Sequence, residues 1–597
     1  MSCRIEDYAM IGDCHTAALV SNEGSIDWLC VPRFDSGACF AAILGSPENG
    51  RWLLAPAGEV KATRRRYREN TLILETDFET DTGAVTVIDF MPQRTSVPDI
   101  VRIVVGRRGQ VAMRMEMLIR FDFGHVVPWV RRKERGITAI AGPDMLSLRS
   151  NVTLRGKDFK TTAEFDVSEG QRVAFDLTWY PSNRPEPAEL DPEDALVETE
   201  HWWRDWTGRC TLSGEHRDAA LRSLITLKAL TYAPTGGIVA APTTSLPEKL
   251  GGVRNWDYRI CWLRDSTFTL YALMEAGFHE EARLWRAWLL RAVAGKPADM
   301  QIMYGLSGER RLTELELPWL PGYEGSSPVR IGNAASEQYQ LDVYGEVMDS
   351  LHQCRRFGLD EEEAAWRAQR SLMKFLEEHW TEPDEGIWEV RGPRRQFTHS
   401  KVMAWVGVDR AVKSVERWGL EGPVDRWRAL RDKIHEQVCR EGFNQELGSF
   451  VQYFGEEYLD ASLLMIPLVG FLPPEDPRVK GTVAAIEKHL MSDGFVHRYN
   501  TSSQVDGLPP GESSFLLCTF WLADNYTLMG RMKEAGEMLD RLLAIRNDVG
   551  LLSEAYDVKT RRLLGNFPQA FSHVGLVNTI ANLQRGDSGP AGHRQNS

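Results

Sequence analysis

The sequence predicts a two-part chain, an antiparallel β-sandwich followed by an all-helical domain. Three observations predict it. The first 180 or so residues alternate apolar and polar positions between turn signals, the period of half-buried strands. From about residue 216 the apolar spacing changes to i, i+3, i+4, i+7, the period of amphipathic helices. A length of 597 residues also exceeds one ordinary core.

The β part is read from its hairpins. "TLILETDFETDTGAVTVIDFMP" (71–92) holds two alternating runs around Asp81-Thr82-Gly83, a hairpin signal. "VRIVVGRRGQVAMRMEMLIRF" (101–121) predicts a second hairpin around a glycine-bounded turn, and "QRVAFDLTWYP" (171–181) a further strand. Such a succession suggests a sandwich over 1–182. "PSNRPEPAELDPEDA", rich in Pro and Glu, opens a linker assigned to 183–212.

The helical domain is assigned to 213–586. Roughly twelve helices are expected, starting near 216, 264, 279, 336, 360, 399, 423, 457, 477, 512, 532 and 568. In the segment at 532, Ala535, Met538, Leu539, Leu542 and Leu543 form one stripe. Consecutive helix pairs build either a solenoid or a closed toroid of six hairpins; no fixed repeat of 30–45 residues is visible, against a regular solenoid. Long loops at 234–263 and 296–335 are candidate functional segments. "GDSGPAGHRQNS" ends the chain as an expected disordered tail, 587–597.

Bulk chemistry narrows the function. The formal net charge of −14 disfavours nucleic acid and anionic membranes as partners. Nine scattered cysteines without a C-x-x-C pair fit reduced thiols in a cytoplasmic protein better than a disulfide framework or a zinc site. No signal peptide or membrane span is read. The 19 tryptophans fit either several large cores or a carbohydrate binder, since indoles stack on sugar faces.

Three stretches carry candidate chemistry. "NWDYRICWLRDSTF" (255–268) interleaves aromatics with Arg-Asp pairs, and Asp265 is either a helix N-cap or a ligand for hydroxyls. "DEGIWEVRG" (384–392) sets Glu389 beside Trp388, where an acid's pKa tends to rise as a proton donor requires. "GLLSEAYDVKTRRLLGNFPQAFSHVGL" (550–576) supplies Glu554, expected polar and ionised. Each glutamate has the alternative of an ordinary loop residue. His399 and His573, at helix starts, read as caps or core-edge residues, and no metal site is assigned.

In order and spacing, "APTTSLPE", "RNWDYRICWLRDS", "PVRIGNAASEQYQLDVYGEV", "GIWEVRG", "HSKVMAWV" and "GNFPQAFSH" resemble the signatures of glycoside hydrolase family 15, the glucoamylase, glucodextranase and trehalase family. "IEDYAMIGDCHTAALVSNEGSIDWLCVPRFDSGACFAAIL" resembles the N-terminal domain of its bacterial members. The resemblance spans nearly the whole chain. It implies a multidomain β plus all-α protein: an N-terminal β super-sandwich, then an (α/α)6 toroid of the six-hairpin glycosidases. It implies an inverting hydrolase in which Glu389 is the general acid and Glu554 the general base. Arg264 and Asp265 match the pair that grips the non-reducing glucose, Asp257, Tyr258 and Trp262 match "DY…W", Trp388 flanks the acid, and Arg330 is a rim candidate. Ala555 departs from the Glu or Gln often found after the base, which puts the carry-over of second-site contacts in doubt.

The expected activity is exo-acting hydrolysis of a small α-glucoside, with trehalose favoured over malto- or isomalto-oligosaccharides. Phosphorolysis and non-catalytic sugar binding are the other classes. No cofactor is assigned, and oligomeric state and any dependence on phosphate or a divalent ion stay open.

Overall fold

The computed structural model describes residues 3–359, 363–503 and 505–585, with only the backbone of Ser266. The tail expected at 587–597 lies outside them. No described helix is long and apolar enough to cross a membrane.

The N-terminal part is a folded-over antiparallel sheet, 15-stranded among the described residues. Its strands include β1 (Arg51–Pro56), β2 (Leu74–Glu79), β3 (Gly83–Phe90), β4 (Asp99–Leu118), β5 (Lys160–Ser168) and β6 (Arg172–Pro181). The expected hairpin at 71–92 is β2–β3. The hairpin expected at 101–121 is instead one strand of 20 residues, β4. Its first half pairs with β3 and β6, its second half with β1 and β5. Gly106 and Gly109 stand at the bend; Gly109 has φ +64°, and a Cβ on Gly106 would lie 2.0 Å from the Ser168 carbonyl oxygen. The glycines therefore let one strand change layers rather than reverse. Arg102 of β4, fully buried, donates to Asp89 at 2.7 Å and to the carbonyls of Trp52 and Gly24 at 2.7 and 2.8 Å.

Within the stretch read as a linker, Pro192–Thr207 is a helix, α1. Asp191 caps it through the amides of Glu193 and Asp194, with Pro192 opening the first turn. Ala195, Leu196, Thr199, Trp203 and Trp206 form its buried face, and Trp206 stacks on Phe278 at 4.0 Å. The Pro- and Glu-rich run before it hid this amphipathic spacing.

Twelve more helices follow among the described residues: α2 (Arg217–Ala229), α3 (Leu263–Glu275), α4 (His279–Ala292), α5 (Asp342–Arg356), α6 (Glu363–His379), α7 (Thr398–Trp418), α8 (Val424–Glu441), the single turn α9 (Met465–Leu468), α10 (Pro477–His489), α11 (Leu516–Leu528), α12 (Met532–Ala544) and α13 (Ala570–Arg585). The odd-numbered helices from α3 to α13 pack in sequence, and α13 returns to α3. That contact closes the ring and decides for a toroid against a solenoid. Inner helices are buried all round, polar residues included, as α11 shows with every residue buried; outer helices bury one stripe, as α12 does with Ala535, Met538, Leu539 and Leu542.

The sandwich docks on the loops at the mouth of the ring. Trp28 donates to the Pro242 carbonyl at 2.8 Å, and Arg259 reaches the Ser36 carbonyl at 2.8 Å.

Candidate active site

Two adjoining voids open where the N-termini of α3, α11 and α13 converge. The first, about 360 Å³, is lined by Trp262, Arg264, Asp265, Phe515, Gln569 and Phe571, with Ile387 and Ala240. The second, about 440 Å³, is lined by Glu248, Arg254, Trp256, Asn333, Arg391 and Asp506, with Ala335, Tyr499 and Leu508. Tyr258, Trp388, Glu389 and Arg498 line both.

Glu389 stands at the junction. It is a non-glycine residue with φ +57°, held in a turn by its amide's 3.1 Å bond to the Gly386 carbonyl. Such a conformation costs free energy and persists only where the surroundings impose it. Its Oε1 accepts from Trp262 Nε1 at 2.8 Å and lies 3.6 Å from the Arg264 guanidinium. The indole against the carboxylate is thus Trp262, not the sequence neighbour Trp388. Trp388 donates to Asp460 at 2.9 Å, leaving its ring as wall to both voids.

Glu554 lies behind Tyr258, one per cent exposed. Tyr258 donates to its Oε1 at 2.5 Å, and the Asn566 amide to its Oε2 at 3.3 Å. Tyr258 also packs edge-on against Trp262 at 5.3 Å. Glu554, Tyr258, Trp262 and Glu389 therefore form one continuous set of contacts, although Glu554 itself lines neither void.

Arg264 is fixed at three points. Its Nε donates to Asp265 at 2.9 Å, one terminal nitrogen to the Ile387 carbonyl at 2.5 Å, and the other faces Glu389, with the guanidinium over Phe571. Asp265 is not the N-cap of α3, which is Trp262; it sits in the first turn, near the positive end of the helix dipole. Burial nonetheless pushes its carboxyl up to about 6, against the lowering effect of Arg264.

Two expected binding residues stand elsewhere. Both oxygens of Asp257 are taken, by Arg259 at 2.7–2.9 Å and by the Gly332 amide at 2.9 Å, so Asp257 braces the mouth and lines neither void. Arg330 lies behind Trp256, its guanidinium 4.7 Å from the ring centroid and one nitrogen 2.9 Å from the Val253 carbonyl. His399 is fully buried inside the first turn of α7, and burial beside Arg264 lowers its pKa to about 3.

Sequence reading missed Arg498, which lines both voids and bridges Glu248 at 2.6 Å and Glu512 at 2.5 Å. It also missed Arg254 and Asp506. Isolated loop residues such as Arg498 and Asp506 carry no periodic or local signal; Glu248, Arg254 and Gln569 lie inside the stretches "APTTSLPE", "RNWDYRICWLRDS" and "GNFPQAFSH" without being singled out there.

Residues 214–581 match the model for glycosyl hydrolases family 15. The chain belongs to that family. Residues 1–201 of this family 15 chain match a second model, described as trehalase-like, N-terminal. The family 15 chain is 38% identical to a trehalase of Mycobacterium tuberculosis, over 98% of this chain and 90% of that one. It is 37% identical to a trehalase of Mycolicibacterium smegmatis, over 98% and 92%. A bacterial glucoamylase complexed with acarbose superposes with a TM-score of 0.74 at 13% identity, covering 100% of this chain and 96% of that one. That likeness is of fold.

The electrostatics of this family 15 site differ from the sequence expectation at one point. Burial and the nearby Glu248 push Glu554 up to about 8, outweighing the hydrogen bond from Tyr258 and the charge of Arg498. Burial also raises Tyr258 well above the ordinary phenol value, so it stays the donor in that bond. The strongly shifted glutamate is the one expected to be ionised.

Proposed function

We propose that the protein is an exo-acting, inverting α-glucoside hydrolase whose substrate is α,α-trehalose. The observation that carries this reading is the junction of two adjoining voids at Glu389, walled by aromatic rings and Arg-carboxylate pairs, with Glu554 linked to it through Tyr258 and Trp262. Trehalases similar over nearly the full length of both chains support the substrate.

In this reading the first void takes the non-reducing glucose. Asp265, whose Oδ2 has no protein partner among the described residues, and Arg264 hold its hydroxyls, while Trp262, Trp388 and Phe571 face its apolar side. Glu389 gives its proton to the glycosidic oxygen as the C1–O bond breaks. Glu554 takes a proton from the water whose oxygen bonds C1 from the opposite face. An inverting pair keeps its carboxyls roughly 6.5–9.5 Å apart to admit that water. One ring of trehalose leaves as β-glucose, and the other, its C1–O bond unbroken, as α-glucose. Nine unpaired thiols favour a reducing, cytoplasmic setting.

The test is glucose release from trehalose, maltose, isomaltose and maltotriose in parallel, with anomers followed by NMR and Glu389→Gln as control. Release from trehalose alone, beginning as equal α and β anomers and lost in the variant, is the expected result. Turnover of maltotriose but not trehalose would overturn the substrate; α-glucose alone would overturn inversion.

A further inference from the structure

The second void holds a group that the catalytic reading does not use. Arg254 is four per cent exposed and lies on the part of this void not shared with the first. One terminal nitrogen donates to Asp506 Oδ2 at 2.6 Å and to the Pro509 carbonyl at 3.1 Å. Its Nε–H, also buried, has no acceptor among the described residues. A buried donor without an acceptor costs free energy, more so on a charged group, so such an atom calls for a ligand that completes it.

The surroundings fix where this donor stands. Asp506 accepts from Tyr499 at 2.7 Å and from the Leu508 amide at 3.1 Å, and its carbonyl accepts from the Arg391 amide at 3.1 Å. Arg391 in turn lies 4.2 Å over Trp256 and is paired with Glu314 at 2.8 Å. Arg254 and Asp506 thus form a braced polar end to the void, tied by the amide of Arg391 to the loop of Glu389, two residues before it. Trp256 is a flat, half-buried face on the same void. A face, an orphan charged donor and a carboxylate are the chemistry that receives one polar ring with hydroxyls.

We infer that Arg254, oriented by Asp506, is the residue that reads the leaving sugar, its Nε–H donating to a hydroxyl oxygen of the ring in the second void. This rests on the glucoside-hydrolase reading above and adds to it the determinant of the leaving group. A leaving ring that presents an oxygen there satisfies the buried donor; a leaving group without one leaves the donor orphaned and is selected against.

The experiment compares two substrates that share the first ring. Trehalose fills both voids, whereas α-glucosyl fluoride has the same glucose and a leaving group too small to reach Arg254. In Arg254→Gln, kcat/KM for trehalose is expected to fall about tenfold to a hundredfold, the span of one hydrogen bond to a charged group. Turnover of the fluoride is expected to stay within about threefold, which also reports that the variant is folded. Arg254→Lys keeps the charge beside Asp506 but lacks Nε, and is expected to lose most of the same factor; it serves if the Gln variant does not fold. Equal losses on both substrates, or no loss on trehalose, would overturn the inference. A wild type that cleaves neither substrate would instead overturn the hydrolase reading, and the inference with it.

Discussion

The two voids are built differently. The first is made from the starts of helices: Arg264 and Asp265 on α3, Phe515 before α11, Phe571 on α13. The second is made from loops, with Arg254, Arg391 and Arg498 each held by a carboxylate from a distant part of the chain. Helix starts locked in a closed ring fix directions to within a bond, as catalysis requires. Loops tied by ion pairs can change residue by residue without disturbing that ring, so in the proposed reading the choice of leaving group is free to vary where the chemistry is not.

Removing Glu389, the proposed acid, should break the comparison most severely. Glu389→Gln is expected to lower kcat by about 10²–10⁴-fold, the usual contribution of a general acid, for trehalose, whose leaving oxygen needs a proton; fluoride, a better leaving group, should suffer less. Steady-state kinetics on the two substrates measure it. An equal loss on both would mean that Glu389 positions the first ring instead.

Arg264→Lys comes next. A lysine cannot serve the three directions that bind Asp265, the Ile387 carbonyl and Glu389. A fall of about tenfold to a hundredfold is expected on both substrates alike, in contrast to Arg254→Gln. Loss on trehalose only would place Arg264 with the second void.

A smaller, pH-dependent effect is expected from Glu248→Gln. Glu554 must be ionised to act as base, and its pKa stands raised to about 8, so activity is lost as pH falls through the neutral range rather than through the ordinary carboxylate range. Removing the Glu248 charge takes away a repulsion and frees Arg498 to attract, both of which lower the Glu554 pKa. The acid limb of kcat/KM should move to lower pH; an unmoved limb would assign it to another group.

The least effect on turnover is expected in the sandwich. Asp89→Asn leaves the buried Arg102 charge uncompensated and should cost about 3–5 kcal/mol of stability, read as a lower Tm, with kcat unchanged at temperatures where the protein is folded. A change in kcat would show that the sandwich acts on the site.

The sequence by itself determined the change of period from strands to helices, the order of the twelve helices and the stretches that carry Glu389, Glu554, Arg264 and Asp265. These are local properties: periodicity is set by which residues face a core, and each of these stretches is contiguous in the chain. Tertiary structure alone decided the rest. Closure of the ring depends on α13 meeting α3, more than 290 residues apart along the chain. The bend of β4 depends on different partners for its two halves. The indole that touches Glu389 comes from Trp262 because Trp388 is turned to Asp460, and Asp257 is lost to Arg259 for the same kind of reason. Arg254, Asp506 and Arg498 meet only when loops from three parts of the chain converge at one mouth. No spacing in one dimension encodes a contact whose partners are chosen by packing in three.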